Sequence, residues 1–590
     1  MNYQTSKTSS GEFVSVELGG LDRAAPLCGG KTSFELRNFR RTKWGTLRER
    51  NGIAPLITFD EDIRGAISVL RGGVREVYVA AGQTVYYLKK TGKKRSAMAL
   101  GELSTTEGGV TFLQHDGHLI LLDGQELWSL TPNAMLPTPT YIPLYGREWS
   151  ESATGERAVY QRPNLLSNRL RVHFRTQNEG RLIQLGDLVP LSVDAALIDG
   201  RIYRQQVTYN ADMNQAELSD ILPRGTEVEL FLTMPGDFAP MQSNIKTARR
   251  ACAIGRAEDA RILFYDVLGT TAVRISRAIS KRDRRIVRAV VPNTCMMYVS
   301  EEDEITIGDG LHEVTGGCRH YDRSLIFTAK GTWMADGESN EDGSLRLIPV
   351  NTSMGCSHGG GIAMIGNQPF TLFEGGVLCW NSDTDERDEC NAAVISQPVQ
   401  PLLEKTGEAK TVLWADEGRG ELWCYSPGEK RRILVYQPEF GTWTSFDGFA
   451  PDLIFDMGSE NGIVMGKTLY RMASDVFYDT IITEEHPEGE KHLIEAEFQS
   501  PFLDFGAPER TKRLCQASAI ALCEGGVLTL TVQRADGKKY EVDMAEEGDT
   551  VCEWRRRVNV GRFRFIRMGI RYKGEGPLHL YCARLRTQSM

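Results

Sequence analysis

The residues in this sequence with the clearest metal-ligating spacing are His115 and His118, which flank Asp116-Gly117. A zinc site asks for three or four convergent nitrogen, sulfur or carboxylate ligands, and no further candidate lies near this pair. Asp-Gly is itself a strong hairpin-turn signal, which places the two imidazoles on either side of a turn with no need to converge. The twelve cysteines are scattered singly, from Cys28 to Cys582, and no CxxC pair occurs. They read as small buried hydrophobes of a chain folded in a reducing compartment. Paired carboxylates of the glycosidase kind are sought at Glu301-Glu302-Asp303-Glu304 and at Asp383-Thr384-Asp385-Glu386. Both runs have loop composition, where clustered charge reads as a solvated face. The Ser/Thr-x-Asp-x-Gly-x-Thr-Trp box of sialidases is absent, with residues 339–347 its nearest approach. There is no GxxxxGK[ST], no GxGxxG opening a helix and no HExxH. Gly359-Gly360-Gly361 lacks the lysine and the helix of a phosphate cradle and reads as a turn. The expectation is a chain without catalytic, cofactor-binding or metal-binding residues, and so not an enzyme.

Two basic runs remain. Lys281, Arg282, Arg284, Arg285 and Arg288 form one, and Arg555-Arg556-Arg557 the other. Either suits DNA phosphates, and either suits a protein interface or a salt-bridge network between subunits. Neither interleaves aromatics as a single-strand platform does. The chain carries 69 Lys+Arg against 78 Asp+Glu, a formal net charge of −9. That balance argues against nucleic-acid affinity over the whole surface, though not against a conduit through which DNA slides.

The elements that must position these residues are strands. Glycine makes up 59 of 590 residues, about a tenth, against a usual ~7%. Apolar strand, tight polar turn and second strand recur at residues 66–88, 110–130, 323–336, 368–383, 421–446 and 462–475. Gly72-Gly73, Asp116-Gly117 and Asp123-Gly124 supply turns. Val77, Val79, Val85 and Tyr87 alternate as a half-buried strand does. An aromatic near the end of a following strand repeats at Trp128, Trp333, Trp380, Trp443 and Tyr470. Small hairpin sheets that cannot bury a face alone point to β-propeller blades; the alternative is an irregular multi-sheet β protein with ordinary core aromatics.

A length of 590 residues exceeds one core. The expected organisation is mostly β: an N-terminal arm with first propeller strands over 1–60, blades over 61–137, an inserted β domain over 138–245, further blades over 246–483, and a C-terminal β-sandwich over 484–590. The insertion opens with the proline-rich TPTYIPLYG, and residues 484–490 (EEHPEGE) read as an acidic linker. Helix signals are sparse, the clearest being a short one near 391–406. No secretory leader and no run of ~18 apolar residues occurs, so a soluble, cytoplasmically built protein without a membrane-spanning segment is expected.

Two parts of the chain resemble the tail nozzle proteins of short-tailed bacteriophages. Leu18-Gly19-Gly20-Leu21-Asp22-Arg23 precedes Phe34-Glu35-Leu36-Arg37-Asn38-Phe39, and Gly45-Thr46-Leu47-Arg48-Glu49-Arg50-Asn51-Gly52 fits a G-x-L-x-x-R-x-G turn at each fixed position. VYQPEFGTWTSF (435–446) and FQSPFLDFGAPERTKRL (498–514) resemble the C-terminal half of that family and of packaged-DNA stabilisation proteins. Phe502 stands where tryptophan is frequent there, and Gln437 where aspartate is common. The resemblance implies a virion tail protein, assembled in the host cytoplasm, that forms a homo-oligomeric ring, usually a hexamer. Its implied partners are the portal-adaptor, tail fibre or needle proteins and, transiently, double-stranded DNA in the channel. It would retain packaged DNA and conduct it during ejection, with no cofactor. The competing expectation is a receptor- or carbohydrate-binding, even glycan-cleaving, propeller of the tail, which would need aromatics and carboxylates gathered at one propeller mouth.

Overall fold

The computed structural model describes residues 7–8, 11–24, 31–91, 94–138, 169–186, 188–199, 201–235, 245–255, 260–267, 272–277, 279–299, 303–321, 323–339, 345–380, 391–404, 411–545 and 548–589. Two-residue turns with both positions in the left-handed region set the local geometry. Arg71 pairs with Val74 across Gly72-Gly73 (φ 56° and 79°), and His115 with His118 across Asp116-Gly117 (φ 48° and 79°). Such turns match the right-handed twist of the strands they join, and glycine enters that region without strain.

Among the described residues, seven four-stranded antiparallel blades follow one another: 63–102, 111–137, 248–305, 314–351, 362–394, 412–446 (part of a larger sheet), and 453–472 completed by Ile53–Thr58. The first strand of each sheet touches the first strand of the next, and the seventh returns to the first. The fold is therefore a β-propeller, closed where the N-terminal strand Ile53–Thr58 pairs with Thr468–Met472. An apolar cluster fills each seam, the one between blades 5 and 6 being continuous with the core of the C-terminal strands. In the strand Val74–Ala81, Val77 and Val79 face blade 7 while Tyr78 and Ala80 face blade 2. That strand is buried on both faces, not on one as its alternation suggested, because a blade is covered on both sides by its neighbours. Of the recurring aromatics, Trp128, Trp333, Trp380 and Tyr470 lie on third strands of their blades and Trp443 on a fourth.

Between blades 2 and 3 stand two further sheets. One joins Arg169–Arg175, Glu227–Thr233, Ser192–Asp199 and Arg201–Gln205; the other joins Gly180–Gln184, Gln215–Leu222 and Val207–Asn210. They share a core that includes Val172, Leu197, Leu230, Ile183 and Leu218. The helix α1 (Lys281–Val290), inside blade 3, packs Ile286, Val287 and Val290 with Ala196 and Phe231 of the first of these sheets. This is the longest helix among the described residues, and it falls in the charged run rather than near 391–406. The latter segment holds Ala392–Val394, a 3₁₀ turn and the single helical turn Gln400–Leu403. The charges of KRDRRIVRAV obscure its apolar spacing, whereas Ser280, accepting from the Asp283 N–H at 3.1 Å, caps its start.

The C-terminal strands form a sandwich. Ala517, Ala519, Ala521, Leu580 and Leu585 of one sheet face Ala496, Phe498, Leu528, Leu530 and Ile570 of the other. The N-terminal strand Gly11–Val16 extends the first sheet beside Leu578–Ser589. In the second, Glu35–Arg37 pairs antiparallel with Glu490–Gln499 and parallel with Thr442–Phe446, the last strand of blade 6. A single ten-stranded sheet thus runs from the propeller into the sandwich. Residues 484–490 are no linker: Tyr478–Ile481 pairs with Glu490–Gln499, and Ile481 stands opposite Glu490 across a hairpin loop.

Ile53 is fully buried in the seam between blades 6 and 7. Ile53→Ala is expected to cost about 2–4 kcal/mol by leaving a cavity, read by thermal or denaturant unfolding. Leu70→Ala, at an exposed position of strand Ile63–Arg71, is expected to cost under ~0.5 kcal/mol; equal losses would overturn closure by Ile53–Thr58.

Candidate functional site

The joint between blade 6 and the sandwich gathers residues from four distant parts of the chain. The Leu21 N–H donates to the Trp443 carbonyl at 2.7 Å, and Gly20 lies so close to Thr442 that a Cβ would sit 2.5 Å from its side chain. The Phe34 N–H donates to the Gln499 carbonyl at 2.8 Å. The Arg567 guanidinium stands 3.6 Å from the Phe34 ring centre and 4.4 Å from that of Phe502. All but Arg567 lie within four of the five segments singled out in the sequence.

Arg50 is the centre of this joint, 1% exposed, and uses all five of its N–H donors. Its Nε donates to Asn38 Oδ1 at 2.9 Å. Nη1 reaches the Asn51 carbonyl at 2.9 Å and Asp479 Oδ1 at 3.0 Å; Nη2 reaches the Asp447 carbonyl at 2.7 Å and Asp479 Oδ2 at 2.5 Å. Asn38, in the left-handed region at φ 57°, accepts in turn from the Asp447 N–H and donates to the Glu495 carbonyl at 2.8 Å. Asp479 also accepts from the Ile53 N–H at 3.1 Å, which fixes the start of the closing strand. Gly52 follows because a Cβ there would lie 2.1 Å from the Tyr478 carbonyl oxygen. Arg50 and Gly52 are fixed positions of the G-x-L-x-x-R-x-G turn; Asp479, their partner, carried no signal because its strand lies more than four hundred residues away.

Beside Arg50 the Glu49 carboxyl is 5% exposed. Burial pushes it up to about 9, with Asp479 acting the same way and Arg50 and the Leu578 backbone opposing. Along the outer edge of the joint a groove of about 720 Å³ runs past Arg23, Phe34, Leu402 and Arg432. Arg23 and Arg432 both pair with Glu35 there, so the groove's cations hold strand Glu35–Arg37 in place.

The basic run on α1 lies elsewhere, at the seam between the inserted sheets and the propeller. Arg284 is buried, donating to Asp116 Oδ1 at 3.3 Å; Arg288 also pairs with Asp116, and Arg282 with Glu227. Asp283 receives Arg171 at 2.7 Å. Lys281 and Arg285 are exposed. Arg282, Arg284 and Arg288 thus tie the helix to its neighbours. His115 is buried with Nε2 3.3 Å from the Met296 carbonyl oxygen, while His118 Nδ1 lies 3.5 Å from Ser129 Oγ; burial lowers the pKa of both. Among the described residues no group of three His, Cys, Asp or Glu could hold a metal ion. Asp303 and Glu304 pair with Arg277 and Arg274; Glu301, Glu302 and the run 383–386 lie outside the described residues. Gly359 approaches Arg250 of blade 3 too closely for a Cβ. The described cysteines are free thiols, and burial pushes Cys252 and Cys424 up to about 12, which makes them poor nucleophiles. No helix among the described residues is long and apolar enough to cross a membrane.

No known family profile and no curated protein matches the chain. Similar solved structures include a chain of a mitotic checkpoint complex, 10% identical, covering 72% of this chain and 93% of that one with a TM-score of 0.32. A fungal alcohol oxidase in complex with copper is 8% identical over 87% and 93% at 0.26. An exo-β-1,3-galactanase from Phanerochaete chrysosporium is 9% identical over 76% and 100% at 0.18. Likenesses this distant carry no argument about activity.

Arg50→Met leaves Asp479 buried without its cation and is expected to cost about 3–5 kcal/mol. Adding Asp479→Leu should recover at least ~1 kcal/mol of the summed single losses in a double-mutant cycle; strict additivity would refute the tie. Because the folded chain keeps the Glu49 proton where the unfolded chain has released it, stability falls as pH rises from about 4.5 to about 9. The advantage of Glu49→Gln over the natural chain should therefore grow across that window, by at most about 1.4 kcal/mol per pH unit, in unfolding titrations. A pH-independent difference would count against it.

Proposed function

We propose that the chain is a structural protein of a short-tailed phage virion, the tail nozzle whose ring extends the portal channel, retains packaged DNA and conducts it at ejection. The carrying observation is that the dispersed segments resembling nozzle proteins meet at one joint, with the motif arginine Arg50 at its centre. Segments that assemble into one architectural element favour shared architecture over a chance likeness. The described chemistry agrees in kind, since the ion pairs of Arg50 with Asp479 and of Arg37 with Asp447 and Glu497 join the modules. On this reading the subunit is a rigid wall piece without catalysis or cofactor. Its partners are further copies of itself, six to a ring by the resemblance, together with portal-adaptor and fibre or needle proteins and the passing duplex.

The mass of the purified chain in solution, with and without portal and adaptor proteins, tests this. A ring near six times 65.8 kDa, or one formed only on the portal complex, is the expected result. A stable monomer that ignores those partners and binds glycans would replace the nozzle by a sugar-binding propeller.

A further inference from the structure

The outer face of the sandwich's first sheet carries a concentration of arginine that the joint does not use. In one row across the strands Arg562 stands directly opposite Arg513, which is in turn opposite Gln588. In the next row Gln516 faces Arg586, and in the third Arg555, Ser518 and Arg584 lie side by side. Cross-strand partners share a face, and Leu514, Ala517 and Leu585 occupy the opposite, buried one. Arg513, Arg562, Arg555 and Arg584 are exposed. Like charges directly opposite each other destabilise a sheet, yet Arg513 and Arg562 form no ion pair among the described residues. Arg555 pairs with Glu553, which stands in the row beyond, opposite Ile520. The three rows hold arginine, glutamine and serine, with Phe13 opposite Arg586 at the end of the second row and no carboxylate.

We infer that this face binds the phosphate backbone of double-stranded DNA. Guanidinium groups with Gln516 and Gln588 beside them are the donor set that holds phosphate oxygens. Along a strand, same-face positions recur every ~6.6 Å, so the rows offer a repeating lattice of charge suited to a regular polyanion. An acidic protein partner would ask for an apolar centre within the polar rim, whereas the apolar residue of these rows, Phe13, stands at the end of its row and not at its centre. With a chain carrying −9 overall, such binding has to be local, weak in sequence preference and steeply dependent on salt. The inference leans on the nozzle reading only for the choice of duplex as the polyanion.

The test is fluorescence anisotropy of a labelled 30-base-pair duplex with the full-length chain across 25–200 mM salt (round values of about the range over which counterion release is read). Binding without sequence preference is expected, its log-log salt slope shrinking by roughly 2.7 in Arg513→Gln/Arg584→Gln/Arg586→Gln, about 0.9 for each lost phosphate contact. The corresponding triple lysine variant should keep most of the slope, and Arg285→Gln on α1 should leave it unchanged. Unaltered unfolding midpoints establish that the variants fold. No binding at the lowest salt, an unchanged slope in the triple glutamine variant, or loss of ring mass with duplex affinity intact would each overturn the inference. Duplex binding of this form by a chain that never forms rings would leave it standing while removing the nozzle.

Discussion

A buried guanidinium holds the molecule together. Arg50 lies where the N-terminal segment turns from the sandwich toward the propeller, and its five donors reach both modules and the segment itself. A charge so far from water is tolerable only when every donor is matched and its counter-ion is held in good geometry. That condition fixes Asn38 in a left-handed conformation, Gly52 against Tyr478, and Asp479 under the first residue of the closing strand. None of these positions is free to change alone.

The N-terminal segment works as a strap. Gly11–Val16 belongs to one sandwich sheet, Glu35–Arg37 to the other, and Ile53–Thr58 to the seventh blade. Arg37 adds ion pairs to Asp447, Glu495 and Glu497, so the strap is held on both sides by charge as well as by backbone ladders. Two modules joined by a continuous sheet and a shared ionic node have little freedom to hinge, unlike domains that touch through a polar surface. Rigidity of that kind is what a wall-forming subunit requires.

Local features were legible in the sequence and long-range ones were not. Gly72-Gly73 and Asp116-Gly117 announce their hairpins because a type of turn demands those residues wherever it occurs. The blade aromatics were visible as a rhythm, though Trp443 serves on a fourth strand and the rest on third strands. Burial of Val77 and Tyr78 on opposite faces was hidden, since alternation describes a strand with one wet face and a blade has none. Helix α1 was masked by its charges, three of which pair with Asp116 and Glu227, Arg284 from a buried position. Asp479 and the parallel pairing of Arg37 with Ser445 are set by tertiary contact, and no spacing within the chain encodes them.

Closure by an N-terminal strand also sets a schedule for biosynthesis. Ile53–Thr58 leaves the ribosome first, while its partner Thr468–Met472 follows roughly four hundred residues later. At ~5–20 residues per second this interval is about 20–80 s. Throughout it the strand is an unpaired apolar edge, the kind of surface that templates association between chains. Nascent copies translated side by side on one message would present that edge to each other before any of them could close.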